Sequence, residues 1–207
     1  MYSKFENLNE EKKQRILRAA MDEFAASGYD DASTNEIVKN AGIAKGALFH
    51  YFKNKKQLFL YLYDYCIRLS LNEFYRKMDM DERDLFAKLQ KMLIAKMEIL
   101  RMYPGFVDFL KAAYFEESKE VKQDLDERNR NVLNDGIAKL FVNIDMSRFA
   151  LGMDINQVIR TIMWAYEGFS DDLLRKKAKT ALDPVDFDRM FKETERYTEF
   201  LKSCFYK

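Results

Sequence analysis

The chain has 207 residues, and its content of 48% apolar and 14% aromatic side chains excludes an intrinsically disordered protein. A net charge of +1 excludes a polycation, so any binding of nucleic acid must come from a local basic patch. The longest uncharged apolar run, at 58–63, is too short to span a bilayer. Scarce glycine and proline, with little period-two alternation, predict an all-α fold.

The location is predicted to be cytoplasmic. The N-terminal segment is charged and does not resemble a signal peptide. Cys66 and Cys204 are distant in the sequence and are expected to be free thiols.

The first helix is predicted over 10–27. Asn9 suits its N-cap, because a short side-chain oxygen can accept a hydrogen bond from the first turn. Ile16 and Phe24 lie on one apolar face of this helix. Gly28 follows as a stop signal.

Residues 33–52 indicate two short helices joined by a tight turn. Ser33 and Glu36 form a capping box that opens the second helix. Gly42 makes the turn, because a residue with a β-carbon resists positive φ. The third helix is predicted to begin near Ala44. Its buried side is expected to consist of Ala44, Leu48 and Phe52.

This helical pair is locally basic. Five lysines and no acidic residue occur between Lys39 and Lys56 in a chain that is nearly neutral. The lysines alone fit a solvated surface equally well. Combined with the two short helices around a glycine turn, they favour a helix-turn-helix whose second helix enters the major groove of DNA.

The remaining chain is predicted to be helical as well. A long helix over 54–78 begins at the boundary between a DNA-binding domain, 1–54, and a second domain, 55–207. The further helices are expected at 82–102, 104–116, 118–142, 154–178 and 184–205.

The stretch from Glu11 to Leu62 resembles the TetR family of bacterial transcriptional regulators. Order and spacing match at Ser27-Gly28-Tyr29, Ser33-Thr34, Ile37, Ala41-Gly42-Ile43, Lys45-Gly46, Leu48-Phe49-His50-Tyr51-Phe52, Lys55 and Leu58. The resemblance implies an N-terminal three-helix DNA-binding domain and a C-terminal helical domain that binds an effector and dimerises. It further implies a homodimer on a palindromic DNA operator, and a repressor released by a small molecule.

The resemblance also assigns DNA contacts. It implies that base edges or the adjoining backbone are contacted by Lys45, Gly46, Ala47 and Phe49. It implies that phosphates are contacted by Thr34, His50, Tyr51 and Lys55. Where Ala47 and Phe49 stand the family often has threonine and tyrosine, so the base preference is expected to differ. Ala47 offers only an apolar contact, such as one to a thymine methyl group.

The C-terminal domain is rich in residues that suit an adaptable pocket for an apolar or aromatic effector, although an ordinary helical core has the same composition. The candidate pocket residues are Met97, Phe106, Phe109, Tyr114, Met163, Trp164 and Glu167. Glu98, Asp108 and Glu116 are further candidates for polar anchors.

The last two helices are the expected dimer interface. Their apolar positions follow a seven-residue repeat, which fits a four-helix bundle as well as packing within one subunit. The candidate interface residues are Ile155, Ile159, Ile162, Tyr166, Phe169, Met190, Tyr197 and Leu201.

Catalytic and cofactor signatures are missing from the sequence. There is no Walker loop, no dinucleotide-binding glycine motif and no zinc-protease motif, and the single histidine, His50, lacks partners for a metal site. We therefore expect no enzyme activity, no cofactor, no metal and no membrane partner. Two alternatives remain open: a helical small-molecule binder or enzyme with an incidental DNA head, and an activator or a regulator that answers to a protein partner.

Overall fold

The computed structural model describes residues 2–102, 104–130, 141, 143–150, 152–176 and 184–207. Its helices are α1 (Ser3–Glu6), α2 (Glu10–Asp31), α3 (Thr34–Ala41), α4 (Lys45–Phe52), α5 (Lys55–Lys77), α6 (Leu85–Met102), α7 (Pro104–Tyr114), α8 (122–130), α9 (Ile155–Lys176) and α10 (Pro184–Phe205). A short 3₁₀ turn spans Met146–Arg148. The described residues contain no β-strand beyond one isolated bridge pair, so the predicted all-α class is confirmed.

The chain forms two compact units. Unit 1 comprises Met1–Asn72 and Met102–Asn134, and unit 2 comprises Glu73–Arg101 and Asp135–Lys207. Helix α5 contributes to both units. The predicted functional division at residue 54 stays a prediction, because compactness alone does not define what each part binds.

Helix α2 begins at the predicted position and bends at Gly28, where the sequence had predicted its end; the helix continues to Asp31. The Asn9 side chain accepts a hydrogen bond of 2.9 Å from the backbone N–H of Lys12. At Gly28 the backbone has φ 68° and ψ −173° and leaves the helical conformation. Glycine adopts this left-handed φ without the steric penalty of a β-carbon.

The core of unit 1 joins the N-terminal helices to α7. The Phe24 ring of α2 lies 4.9 Å from Phe59 of α5, and Phe59 lies 5.3 Å from Phe109 of α7. At the start of α7, this helix comes so close to α2 that a β-carbon on Gly105 would lie 3.2 Å from Oδ1 of Asp22. Helix α7 therefore shares one core with the helices before it.

Unit 2 has a separate core in which α6, α9 and α10 meet. Its buried side chains are Leu85, Phe86, Leu89, Phe149, Val158, Ile162 and Leu201. Lys88 is completely buried beside this core, and its Nζ donates to the carbonyl of Met80 at 3.3 Å and to Oδ1 of Asn143 at 3.0 Å. Burial lowers the pKa of Lys88, and these two oxygens partly replace the lost water.

We expect Phe109→Ala to lower the free energy of unfolding by about 3 to 5 kcal/mol, because it leaves a cavity between two aromatic rings. Chemical denaturation measures this loss. The matched control is Tyr114→Ala on the same helix, whose side chain is 44% exposed and whose loss should be about 1 kcal/mol or less. Equal losses would contradict a core shared between α7 and the N-terminal helices.

Candidate nucleic-acid interface

The turn between α3 and α4 is fixed by backbone hydrogen bonds. Gly42 adopts φ 64° and ψ 42°, in the left-handed region. Its N–H donates to the carbonyl of Lys39 at 3.2 Å, and the N–H of Ile43 donates to Val38 at 3.0 Å. This is the closing pattern of a helix C-terminus, and it sets the direction in which α4 leaves α3.

Helix α4 has one buried and one open side. Leu48 and Phe52 are each 1% exposed, as the sequence predicted. The expectation for Ala44 was wrong, because Ala44 is exposed as the N-cap, ahead of the first helical turn. The residues on the open side are exposed at Lys45, Gly46 and His50 and half-buried at Ala47, Phe49 and Tyr51.

The beginning of α4 is suited to an anion. Ala44 provides no side-chain hydrogen bond to the first turn, and the first residue, Lys45, is exposed. Free N–H groups and the helix dipole make this end positive, so a lysine here is locally unfavourable. A phosphate group would satisfy the N–H groups and pair with the lysine at the same time.

Two of the five lysines in this basic segment form ion pairs with acidic residues in the structure. Lys39 pairs with Glu36 at 3.0 Å, and Lys56 pairs with Asp124 at 2.8 Å. Lys53 is exposed like Lys45, and the ion pairs found among the described residues include neither of them. The sequence could not reveal Asp124 as a neighbour, because it lies 68 positions after Lys56.

Lys55 has structural contacts. Its Nζ donates to the carbonyl of Asp30 at 2.9 Å and to that of Ala32 at 3.3 Å. It also lies 4.8 Å from the ring centroid of Tyr29, in a cation–π arrangement. Lys55 therefore ties the start of α5 to the connection before α3, and its phosphate contact stays a prediction.

The other expected phosphate contacts lie on both helices of the pair. Thr34 is the half-buried first residue of α3, following the Ser33 cap. The Tyr51 ring lies 6.0 Å from His50 and 5.9 Å from Phe5 of α1. Helix α1 was not predicted from the sequence, because its short segment is mostly charged and polar.

The candidate pocket residues belong to different units. Phe106 and Phe109 are buried in unit 1, and Tyr114 is exposed there. In unit 2, Met163 is half-buried and Trp164 is 64% exposed. The side chains of Met97 and Glu167 lie outside the described residues. A cleft of about 500 Å³ in unit 2 is lined by other residues, namely Gln90, Glu195, Arg196, Thr198 and Glu199.

Glu116 joins the end of α7 to the end of α2. Its carboxylate accepts hydrogen bonds of 2.8 Å from the backbone N–H of Tyr29 and from that of Ser118. The Ser118 hydroxyl donates to Oδ1 of Asp30 at 2.7 Å. This candidate polar anchor is therefore occupied by backbone hydrogen bonds within unit 1.

Several candidate interface residues pack inside unit 2. Ile162 and Leu201 are buried, and Ile155, Ile159 and Tyr166 are half-buried against the same core. Tyr197 is 36% exposed, and the side chains of Phe169 and Met190 lie outside the described residues. Among the described side chains of α9 and α10, the large apolar ones that are exposed are Trp164, Tyr197 and Phe200.

Two other kinds of site are absent from the described part of the chain. It contains no group of three or more histidine, cysteine or acidic side chains that could hold a metal ion. None of the described helices is long and apolar enough to cross a membrane.

Residues 16–62 match a family model described as bacterial regulatory proteins, tetR family. The chain is 27% identical over 206 residues to the HTH-type transcriptional regulator YerO of Bacillus subtilis. That alignment covers 84% of this chain and 68% of YerO. It is 25% identical over 149 residues to the Bacillus subtilis fatty acid metabolism regulator protein. That alignment covers 70% of this chain and 74% of the relative. The fold is also similar to the solved structure of NalD, the secondary repressor of the MexAB-OprM multidrug efflux pump in Pseudomonas aeruginosa. The TM-score is 0.62 at 22% sequence identity, and the superposition covers 91% of this chain and 97% of NalD.

A helix-turn-helix protein that regulates transcription by binding DNA is the class that this fold and this site define. The match over residues 16–62 and the names of the relatives support a transcriptional regulator of the TetR type, as the resemblance in the sequence predicted. Each of these relatives is named as a regulator or a repressor.

We expect Lys45→Ala to weaken binding to duplex DNA by about 1.5 kcal/mol or more, roughly tenfold, because a charged phosphate contact is lost in each bound subunit. The slope of log affinity against log salt should fall by about one unit for each bound subunit. Fluorescence anisotropy over a salt series measures both. Lys192→Ala, an exposed lysine of α10, is the control and should change neither quantity. A Lys45→Ala protein with the unmodified slope would contradict the phosphate contact.

Proposed function

We propose that the protein is a cytoplasmic repressor that binds a near-palindromic operator as a homodimer and is released by a small apolar or aromatic effector. One observation carries the proposal: the open side of α4 begins at an uncapped helix end beside exposed Lys45. Two such helices in a dimer would enter successive major grooves, about 34–36 Å apart.

The dimer surface that we propose centres on the open apolar side chains of α9 and α10. Trp164 is 64% and Phe200 59% exposed, and the Phe200 ring lies 6.2 Å from that of Tyr197. Trp164 follows the buried Ile162 by two positions, which places it about 200° round the helix. Leaving such rings in water is unfavourable, and covering them with a second copy removes the cost.

Repression and release are supported by the relatives and by the packing of α7. NalD is named as a repressor, and the fatty acid metabolism regulator bears the name of an apolar substrate class. Helix α7 packs against α2 through Phe109 and Glu116. An effector that displaces α7 would therefore displace α2 and change the position of α4.

The direct test is selection of a duplex from a random library, followed by titration with candidate effectors. We expect a selected duplex with two similar half-sites one helical turn apart, because a two-fold symmetric dimer presents two identical helices. A long-chain fatty acid and a planar aromatic compound serve as probes, and one of them should reduce the bound fraction. To change the protein from mostly bound to mostly free, the effector must bind the released conformation more tightly than the DNA-bound conformation by about 5 kcal/mol. Failure to select any duplex would contradict the proposal.

We expect Trp164→Glu with Phe200→Glu to convert the dimer into a monomer, because two charges would be buried at its centre. Size-exclusion chromatography with light scattering measures the mass, and circular dichroism checks that the helices remain. Asn156→Glu, an exposed polar position on α9, is the matched control. An unchanged mass for the double variant would show that the dimer uses another surface.

A further inference from the structure

Helix α1 packs on the end of the recognition helix, α4. It lies outside residues 16–62, which the family model matches. Phe5 of α1 is completely buried, and its ring lies 4.6 Å from Phe52 of α4 and 5.3 Å from Tyr61 of α5. We call residues 2–6 the N-terminal strap.

The strap supplies two of the aromatic rings that lie near Phe52. Among the described residues outside α4, three rings lie near Phe52: Phe5 at 4.6 Å, Tyr61 at 5.2 Å and Tyr2 at 5.9 Å. Two of these three belong to the strap. Since Phe52 is one of only two buried side chains of α4, the strap forms much of the anchor at this end.

Helix α4 depends on that anchor because its own ends are weak. It has eight residues and no side-chain hydrogen bond at its N-cap. Its C-cap, Lys53, has φ 64°, a left-handed conformation that is unfavourable for a lysine. Such a short helix owes its stability and direction to the packing around it.

Polar contacts hold the strap in place. The Tyr2 hydroxyl donates to Oε1 of Gln57 at 2.7 Å. The Glu6 carboxylate accepts a hydrogen bond from Tyr61 and lies 3.4 Å from Nζ of Lys13. Burial, with Glu6 beside it, raises the pKa of Tyr61, so the phenol keeps the proton that it donates.

We propose that Phe5 is a positioning residue for DNA recognition, and that the N-terminal strap fixes the tilt of α4 in the groove. The inference rests on the proposed function, since it concerns how that same site discriminates sequences. At the groove-facing end of α4, Gly46 and Ala47 carry almost no side chain. Their backbone must approach the base edges closely, and a small tilt of α4 removes that contact.

The two kinds of DNA contact respond differently to such a tilt. Lysine side chains are long and flexible, and phosphate contacts carry no sequence information. They survive a small change in the direction of α4. Base contacts by the short residues do not survive it, so loss of the anchor lowers the preference for the operator more than it lowers DNA binding in general.

The test measures binding of the full chain to two duplexes: one selected from a random library by the unmodified protein, and a scrambled duplex of the same length. For Phe5→Ala we expect affinity for the selected duplex to fall about tenfold or more, as expected for one lost base contact. Affinity for the scrambled duplex should change less than about twofold. Lys4→Ala, an exposed position on the same helix, is the matched control and should change neither.

A purely stabilising role would give a different result. It would lower both affinities by one common factor, equal to the loss of folded protein seen by circular dichroism at the assay temperature. Either that result or an unchanged ratio of the two affinities would overturn the proposal. If Phe5→Ala fails to fold, Phe5→Leu decides the question, because it keeps an apolar side chain. For this variant we expect the ratio of the affinity for the selected duplex to that for the scrambled duplex to fall about threefold. An unmodified protein that selects no duplex would overturn the proposed function itself, which separates the two failures.

Discussion

The structure depends on how a helix of eight residues is held at a defined angle. An isolated helix of this length is not stable in water, because few hydrogen bonds form for the backbone freedom that is lost. Leu48 and Phe52 fix α4 by burial against the body of unit 1, and Gly42 fixes the direction of its start. The open side of α4 is thereby presented as a rigid surface, which reading a groove requires.

The same body includes a helix from much later in the chain. Helix α7 contributes Phe109 to the core around Phe24 and Phe59, and Glu116 accepts a hydrogen bond from the N–H of Tyr29. These contacts make α7 part of the unit that carries α4. Control of DNA binding therefore needs no long path, since any ligand that shifts α7 acts directly on the packing of α2.

Most helices could be predicted from signals within a few residues of sequence. Contacts between residues that are distant in the sequence could not be predicted. Caps and glycine signals located the start of α2, its bend at Gly28 and the turn after α3, because these signals act within a few residues. The strap was not predicted because its segment is short and mostly charged or polar, although Tyr2, Phe5 and Leu8 are spaced by three. The rings that contact Phe5 come from α4 and α5, which are distant in the sequence. The repeat that includes Ile162 marked buried positions, but periodicity does not say whether the covering residues come from the same chain. The two carbonyls that bind Lys55 were equally invisible, since their proximity arises only in the folded chain.

Binding of DNA by the open side of α4 is tested most directly by amide hydrogen exchange of the full chain. Exchange is compared with and without a duplex that the protein itself selects. We expect slower exchange on binding at residues 45–51 and at the start of α3, while exchange at the amides of α10 stays unchanged. A duplex that binds tightly and leaves the amides of α4 unprotected would contradict it.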